Sequence, residues 1–189
     1  PPTKAMMLLC FPVIFTNFLQ MDIKKGIGSF RFLPMFLALF LGLLIGGKLI
    51  LNLSLNFISI SIASVIIIFT SLNFFGISLK NIKKANEKIL SVIIGFLSGI
   101  LGGLTTFYAP PIITFLISIN LDKEFFIRTT ATMYFFASIP LYSSMLYHGL
   151  GNYYDLIISL VLVFPAIIGQ FFGSKIRKKL SNEIFQKLV

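Results

Sequence analysis

Long apolar stretches, separated by short polar and basic segments, dominate this chain. Each long stretch is about the length that crosses roughly 30 Å of hydrocarbon. The pattern predicts membrane-spanning helices over 5–21, 33–51, 57–75, 125–147 and 153–173. Their apolar runs are continuous and do not alternate with polar residues, so strands are not predicted. We therefore predict an all-α membrane protein, a polytopic helical bundle that forms a single transmembrane domain over residues 1–189.

The apolar segment 89–119 differs from the others because it is rich in glycine and contains Pro110-Pro111. Such residues interrupt helices, and interrupted backbone within a membrane is tolerated mainly where it lines a cavity. The segment is too short for two full crossings, which need about 40 residues. We predict a re-entrant hairpin of two short helices, with its turn between Thr105 and Pro110. The alternative is one long, tilted and kinked helix.

The distribution of basic residues supports the hairpin. Segments 22–32 and 76–88 and the tail after residue 173 hold most of the 16 Lys and Arg residues. Basic segments collect on the cytoplasmic side. The three basic segments all lie on the cytoplasmic side only if the segment 89–119 enters the membrane and returns to the same side. The net charge of +10 is then explained by anionic headgroups. We expect a multi-pass protein of the cell (inner or plasma) membrane, with the lipid bilayer and not nucleic acid as its partner.

Short motifs indicate an inverted internal repeat. Gly42-Leu-Leu-Ile-Gly-Gly-Lys48 is similar to Gly169-Gln-Phe-Phe-Gly-Ser-Lys175, and Gly26-Ile-Gly28 to Gly149-Leu-Gly151. The two copies would run in opposite directions, a plan found in secondary transporters. Residues 1–75 would be the remainder of the first repeat and 89–189 the second. Because each repeat should have a hairpin, we expect truncation at both ends. The Gly-xxx-Gly pairs predict close helix packing.

Two stretches resemble the TauE/SafE sulfite-exporter family. In 109–129, Pro-Pro leads into an apolar half-helix, an acidic-basic loop and an Arg-Thr pair, which is similar to the family's second-half signature. The stretch 11–20, with its Pro, Thr-Asn and Gln, resembles the first half. The resemblance implies a membrane transporter of sulfite, sulfonates or related small anions. The chain departs from the family pattern at Thr106, where the family usually has glycine.

The turn of the hairpin is the first candidate for a substrate site. A half-helix over 111–119 would direct its N-terminus into the protein, where free N–H groups and the helix dipole favour an anion. The candidate substrate-binding residues at the turn are Gly102, Gly103, Thr105, Thr106, Tyr108, Pro110 and Pro111. The alternative is that the hydroxyl groups only satisfy the interrupted backbone.

Three polar residues outside the hairpin are further candidates for substrate binding. Asn17 and Gln20 form a polar pair within an apolar span, and such pairs face the bundle interior; the alternative is hydrogen bonding between helices. Arg128 begins a span and would contact substrate from the cytoplasmic side; the alternative is an interfacial anchor.

Several kinds of chemistry lack residues in this sequence. All six carboxylates fall in loops or at span edges, and the chain has one His and one Cys. We therefore expect no metal site, no cofactor, no carboxylate proton relay and no enzyme activity. The predicted function is secondary-type transport or export of a small anion, with further copies of the chain left open as homo-oligomer partners. The alternative function is a non-transporting structural subunit or scaffold.

Overall fold

A computed structural model describes residues 2–22, 30–49, 52–74 and 84–188. The backbone of these residues forms helices and contains no strand. The helices are α1 (Pro2–Leu8), α2 (Cys10–Gln20), α3 (Leu33–Leu49, after a 3-10 turn at Phe30–Phe32), α4 (Leu55–Phe74), α5 (Lys84–Thr105), α6 (Ala109–Ser118), α7 (Lys123–Tyr147), α8 (Tyr153–Lys179) and α9 (Asn182–Leu188). The prediction of an all-α membrane protein is confirmed.

Three apolar helical stretches in the described residues are long enough to cross a membrane: Thr3–Gln20, Asn86–Thr105 and Tyr153–Lys179. The predicted span 5–21 is divided at Leu9 into α1 and α2, and the predicted span 153–173 continues as helix to Lys179. Four basic residues of the two predicted cytoplasmic segments 22–32 and 76–88 lie outside the described residues: Lys24, Lys25, Lys80 and Lys83. The same holds for the repeat motif Gly26-Ile-Gly28.

α7 is the central helix of the bundle. Three consecutive aromatic side chains, Tyr134, Phe135 and Phe136, contact three different parts of the fold. Their ring partners are, in the same order, Tyr108 before α6, Phe18 of α2 and Phe36 of α3. Because consecutive helical residues point about 100° apart, these contacts surround α7. α7 also contributes eleven buried residues, so protein covers much of its surface.

Glycines bring α3 and α5 into backbone contact. A Cβ added to Gly99 would lie 2.7 Å from the Cα of Gly42, and a Cβ added to Gly103 would lie 2.7 Å from the Cα of Gly46. No other residue has so little volume at these positions. The predicted close packing is therefore present for these glycines. It is absent for Gly169 and Gly173 of α8, which have no described atom within 4 Å of an added Cβ.

The hairpin of α5 and α6 enters the bundle and returns to the same end. α3 and α5 run in the same direction, since Arg31 pairs with Glu87 where both begin. The chain after α6 is again at that end, because the rings of Phe32 and Phe125 lie 6.3 Å apart. A single kinked crossing would place Phe125 at the opposite end. We call the end at which α3, α5 and α7 begin and α2 and α8 finish the basic end.

The two arms of the hairpin are unequal, which corrects the prediction of two short helices. α5 has 22 residues and therefore a length of about 33 Å, whereas α6 has ten. The glycines do not break α5 because they serve its contact with α3. The helix ends where Thr106 takes φ +64° and its N–H donates to Gly102 O at 2.7 Å. This is the αL cap that usually carries glycine.

The helix directions follow the pattern of an inverted repeat, which itself remains a prediction. α2 and α7 are antiparallel, since Asp22 pairs with Arg128 and Phe18 contacts Phe135 farther along α7. α8 lies parallel to α2, just as α3 lies parallel to α7. Suppose that α2 corresponds to α7 and α3 to α8. Since α5 packs against α3, its counterpart in the first repeat would pack against α8.

Candidate functional site

Thr105, at the turn of the hairpin, is buried, and its hydroxyl group already makes hydrogen bonds. Thr105 is fully buried; its Oγ1 donates to Leu101 O at 2.6 Å and accepts from Phe107 N at 3.1 Å. The ring of Tyr108 folds back over α5, because a Cβ on Gly102 would lie 2.6 Å from the Tyr108 Cβ. These contacts match the alternative interpretation, in which the hydroxyl group satisfies the interrupted backbone.

The N-terminus of α6 offers fewer donors than the sequence suggested. The helix begins at Ala109, so Pro110 and Pro111 occupy its second and third positions. The first N–H groups of a helix have no partner within it, but these two residues have no N–H. Only Tyr108 and Ala109 therefore keep an N–H in the first turn. The Tyr134 hydroxyl adds a donor that now lies 3.4 Å from Ala109 O.

A pocket of about 900 Å³ opens at the basic end between α2, α7 and α8. Apolar side chains such as Phe18, Ile167 and Phe171 form much of its wall. Polar and charged side chains complete it: Gln20, Asp22, Glu124, Arg128, Gln170, Ser174, Arg177 and Lys178. Cations outnumber carboxylates by one in this lining. Charges beside apolar walls interact more strongly than charges in water, so this excess of one positive charge has a larger effect than it would on an open surface.

The two arginines of the pocket are bound to different extents. Arg128 Nη1 lies 2.6 Å from Asp22 Oδ2. Arg177 Nη1 donates to Gln20 Oε1 at 2.9 Å, while its Nε lies 3.7 Å from Glu124 Oε1, which is too long for a hydrogen bond. Arg177 Nε is buried and has no hydrogen-bond partner. Arg177 therefore keeps a donor that a bound anion can use.

Gln170 brings a second unpaired atom to the same wall. Its Nε2 donates to Thr16 O at 2.8 Å, which joins α8 to α2. Its Oε1 is buried without a hydrogen-bond partner. Unpaired buried polar atoms are rare in folded proteins, and an amide oxygen needs a hydrogen-bond donor as its partner. The pocket thus holds polar groups that the described residues alone do not satisfy.

The structure divides the predicted site residues into separate groups. Gln20 and Arg128 line the pocket. Asn17 is not part of the lining, and its amide donates to Val13 O of its own helix at 2.8 Å. Tyr108 of the turn contacts α7 at Tyr134, on another face from Arg128, whereas Gly103 packs against Gly46 of α3. The sequence thus predicted two groups of polar residues but not that α7 separates them.

Sequence reasoning missed the residues that give the pocket its charge. Arg177 was counted only among the basic residues that set orientation, and Glu124 only as an acid at a span edge. The available signal was Gln170, a polar residue inside the long apolar run that follows Ser159 in segment 153–173. Since Gln170 and Arg177 are seven residues apart, they share a helix face.

Among the described residues, no group of three His, Cys, Asp or Glu side chains is placed to hold a metal ion. The Nδ1 atom of His148 lies 2.8 Å from Ser144 O within its own helix. Cys10 is a free, buried thiol.

The family model for the sulfite exporter TauE/SafE matches residues 1–189, the whole chain. The chain belongs to the TauE/SafE family. Members of this family are membrane transporters, so TauE/SafE membership agrees with the apolar helices and with a membrane exporter of sulfite or related sulfur compounds. No curated protein and no solved structure gives a significant match.

Proposed function

We propose that this TauE/SafE protein is a secondary-type transporter, and not an enzyme, that exports a small anion across the cell membrane. Its substrate would be sulfite, a sulfonate or a related organosulfur oxyanion. The observation that carries the proposal is the pocket at the basic end, where Arg128 and Arg177 project beside apolar walls. In such surroundings a cation attracts an oxyanion and has fewer water molecules to give up first.

The pocket would be the opening from the cytoplasmic side in alternating access, and the hairpin turn the place where the anion meets the bundle interior. Before an anion can accept a hydrogen bond from the Thr105 hydroxyl group, that group must release its hydrogen bond to Leu101 O. Transport therefore requires the turn to change its local bonds. The hairpin is suited to this, because Thr106 holds a backbone conformation that is strained for a β-branched residue.

Counterflow of labelled sulfite in proteoliposomes tests the function. Wild-type vesicles loaded with unlabelled sulfite should accumulate label above protein-free vesicles. Thiosulfate, sulfoacetate, sulfate and lactate, added as competitors, would rank the substrate class. Accumulation equal to that of protein-free vesicles, from protein that melts cooperatively, would contradict the proposal.

Thr105→Val tests the role of the turn without changing side-chain volume. We expect at least tenfold slower counterflow, since a hydrogen bond to a charged group is worth about 1.5–3 kcal/mol. Thr114→Val is the matched control, because Thr114 also lies in the hairpin and donates to the carbonyl four residues earlier. Equal rates for Thr105→Val and Thr114→Val would remove the turn from the substrate path.

The alternative is a non-transporting subunit or scaffold, and the outer surface of α8 favours it. Only 11% of the apolar window of α8 is buried, and Gly169 and Gly173 have no described neighbour. A scaffold should co-purify with a partner helix on this surface and should show no anion-dependent change in melting temperature.

A further inference from the structure

Arg177 is the least satisfied cation of the pocket at the basic end. Its side chain is 16% exposed, so water cannot fully replace missing partners. One nitrogen bonds to Gln20, whereas Nε has no hydrogen-bond partner and faces Glu124 at 3.7 Å. Arg128, in contrast, is bound by Asp22 at 2.6 Å. Of the two arginines, Arg177 can accept a ligand with the smaller loss of existing bonds.

We propose that Arg177 is the principal anion-binding residue of this pocket and that Glu124 is an internal counter-ion that the anion displaces. The proposal rests on the proposed function and deepens it. The guanidinium group presents its donors in a planar fork, which matches two oxygens of one oxyanion. The ligand class is therefore a small oxyanion such as sulfite or sulfate, and not a halide, which has no second acceptor atom.

The other charged groups that line the pocket are Asp22, Glu124, Arg128 and Lys178. Asp22 is engaged with Arg128, and Lys178 lies one residue beyond Arg177 on the lining. Glu124 is the carboxylate nearest to Arg177, and its side chain is 40% exposed. A carboxylate so exposed can move into water when an anion arrives. Its departure leaves Arg177 with the ligand as its charged partner.

If the anion displaces Glu124 from Arg177, neutralising these two residues should change the oxyanion affinity in opposite directions. Neutralising Arg177 should weaken oxyanion binding by about tenfold or more, the usual effect of losing a charge-assisted hydrogen bond. Neutralising Glu124 should strengthen it by about three- to tenfold. In wild-type protein only the fraction of molecules with Arg177 released by Glu124 is competent to bind, and apparent affinity falls in proportion to that fraction.

The experiment uses the 189-residue chain in detergent, with sodium sulfite, sodium sulfate and sodium chloride at equal ionic strength as probes. Dissociation constants come from titration calorimetry and from the rise in melting temperature. The variants are Arg177→Gln and Glu124→Gln. Lys179→Gln is the matched control for the first, because Lys179 is an exposed cation on the same helix and is not part of the pocket lining. Glu183→Gln on α9 is the control for the second.

The expected result is weaker sulfite and sulfate binding for Arg177→Gln, tighter binding for Glu124→Gln, and wild-type binding for both controls, with chloride weak throughout. If Arg177→Gln fails to fold, Glu124→Gln alone decides, because a merely structural loss does not tighten binding. Unchanged or weaker oxyanion binding by Glu124→Gln overturns the proposal. If sulfite counterflow persists in that case, the transport function stands and only this assignment fails. If wild-type protein shows neither binding nor counterflow, both fail.

Discussion

Replacing Gly99 with alanine should separate α3 from α5. An added Cβ would come closest to Leu39 O, and it would lie 2.7 Å from Gly42 Cα and 2.8 Å from Leu43 N. Ordinary Cβ contacts begin at 3.4 Å, so the helices must move apart by at least about 0.7 Å at this point. All three obstructing atoms belong to the backbone, so no side-chain rotation can relieve the contact.

The energetic consequence follows from two opposing terms. Overpacking a well-packed site costs about 1–3 kcal/mol, and a backbone obstacle places Gly99→Ala toward the upper part of that range. Alanine favours the helix over glycine by about 1 kcal/mol. The expected net loss is about 1–2 kcal/mol. Gly169→Ala is the matched control, since no described atom lies within 4 Å of its added Cβ; without a contact to relieve, it should gain about 1 kcal/mol from helix propensity.

The single cysteine of the chain provides the assay. Cys10 is buried and is the only thiol in the sequence, so a thiol-reactive fluorogenic dye reports unfolding as this residue becomes accessible. Melting curves at one scan rate compare the two variants with wild-type protein, because heat unfolding of such proteins is often irreversible. Equal melting temperatures for Gly99→Ala and Gly169→Ala would refute the claim that glycine is needed for the α3–α5 contact.

Three further outcomes are expected. Thr106→Gly should raise stability by about 1 kcal/mol, since it relieves a positive φ at a β-branched residue; a lower melting temperature would contradict this. A hydrogen bond from Asn182 keeps the pKa of Asp122 below its ordinary 3.8. The ionised Asp122 therefore stabilises the fold above that pH, and this contribution is lost as the pH falls further. In Asn182→Ala, the melting temperature should fall less steeply between about pH 6 and pH 3 than in wild-type protein. In a cysteine-free background, Asn120→Cys and Lys88→Cys should react with a membrane-impermeant reagent from the same side; reaction from opposite sides would exclude a re-entrant hairpin.

The hairpin could be predicted from the sequence because two independent constraints agreed. The distribution of basic residues required a return to the same side, and the length of 89–119 excluded two full crossings. Its unequal arms could not be predicted from these constraints. Glycines such as Gly99 look like helix breakers when read alone, and only their contact with Gly42 explains why α5 continues to Thr105.

The pocket at the basic end was predictable only in part. Gln20 and Arg128 were recognisable as polar residues near a span. Arg177 was not, because it stands among neighbouring lysines in a basic tail, and the sequence does not indicate which cation of such a tail turns inward. That distinction arises from tertiary packing. α8 continues as helix past residue 173, and this continuation carries Arg177 toward Gln20 of α2.

The bonding of α7 indicates how the pocket and the hairpin turn could act together. Arg128 faces the pocket and Tyr134 faces the turn, so one helix contacts both. The hydroxyl groups of Thr130, Thr132 and Ser138 each bond to a carbonyl of α7 itself. These groups therefore stay satisfied when α7 shifts against its neighbours. The ion pair of Arg128 with Asp22, in contrast, joins α7 to the segment that follows α2, and it lies in the pocket where an anion would enter. Under the proposed function, an arriving anion would act at the point where this ion pair holds α7.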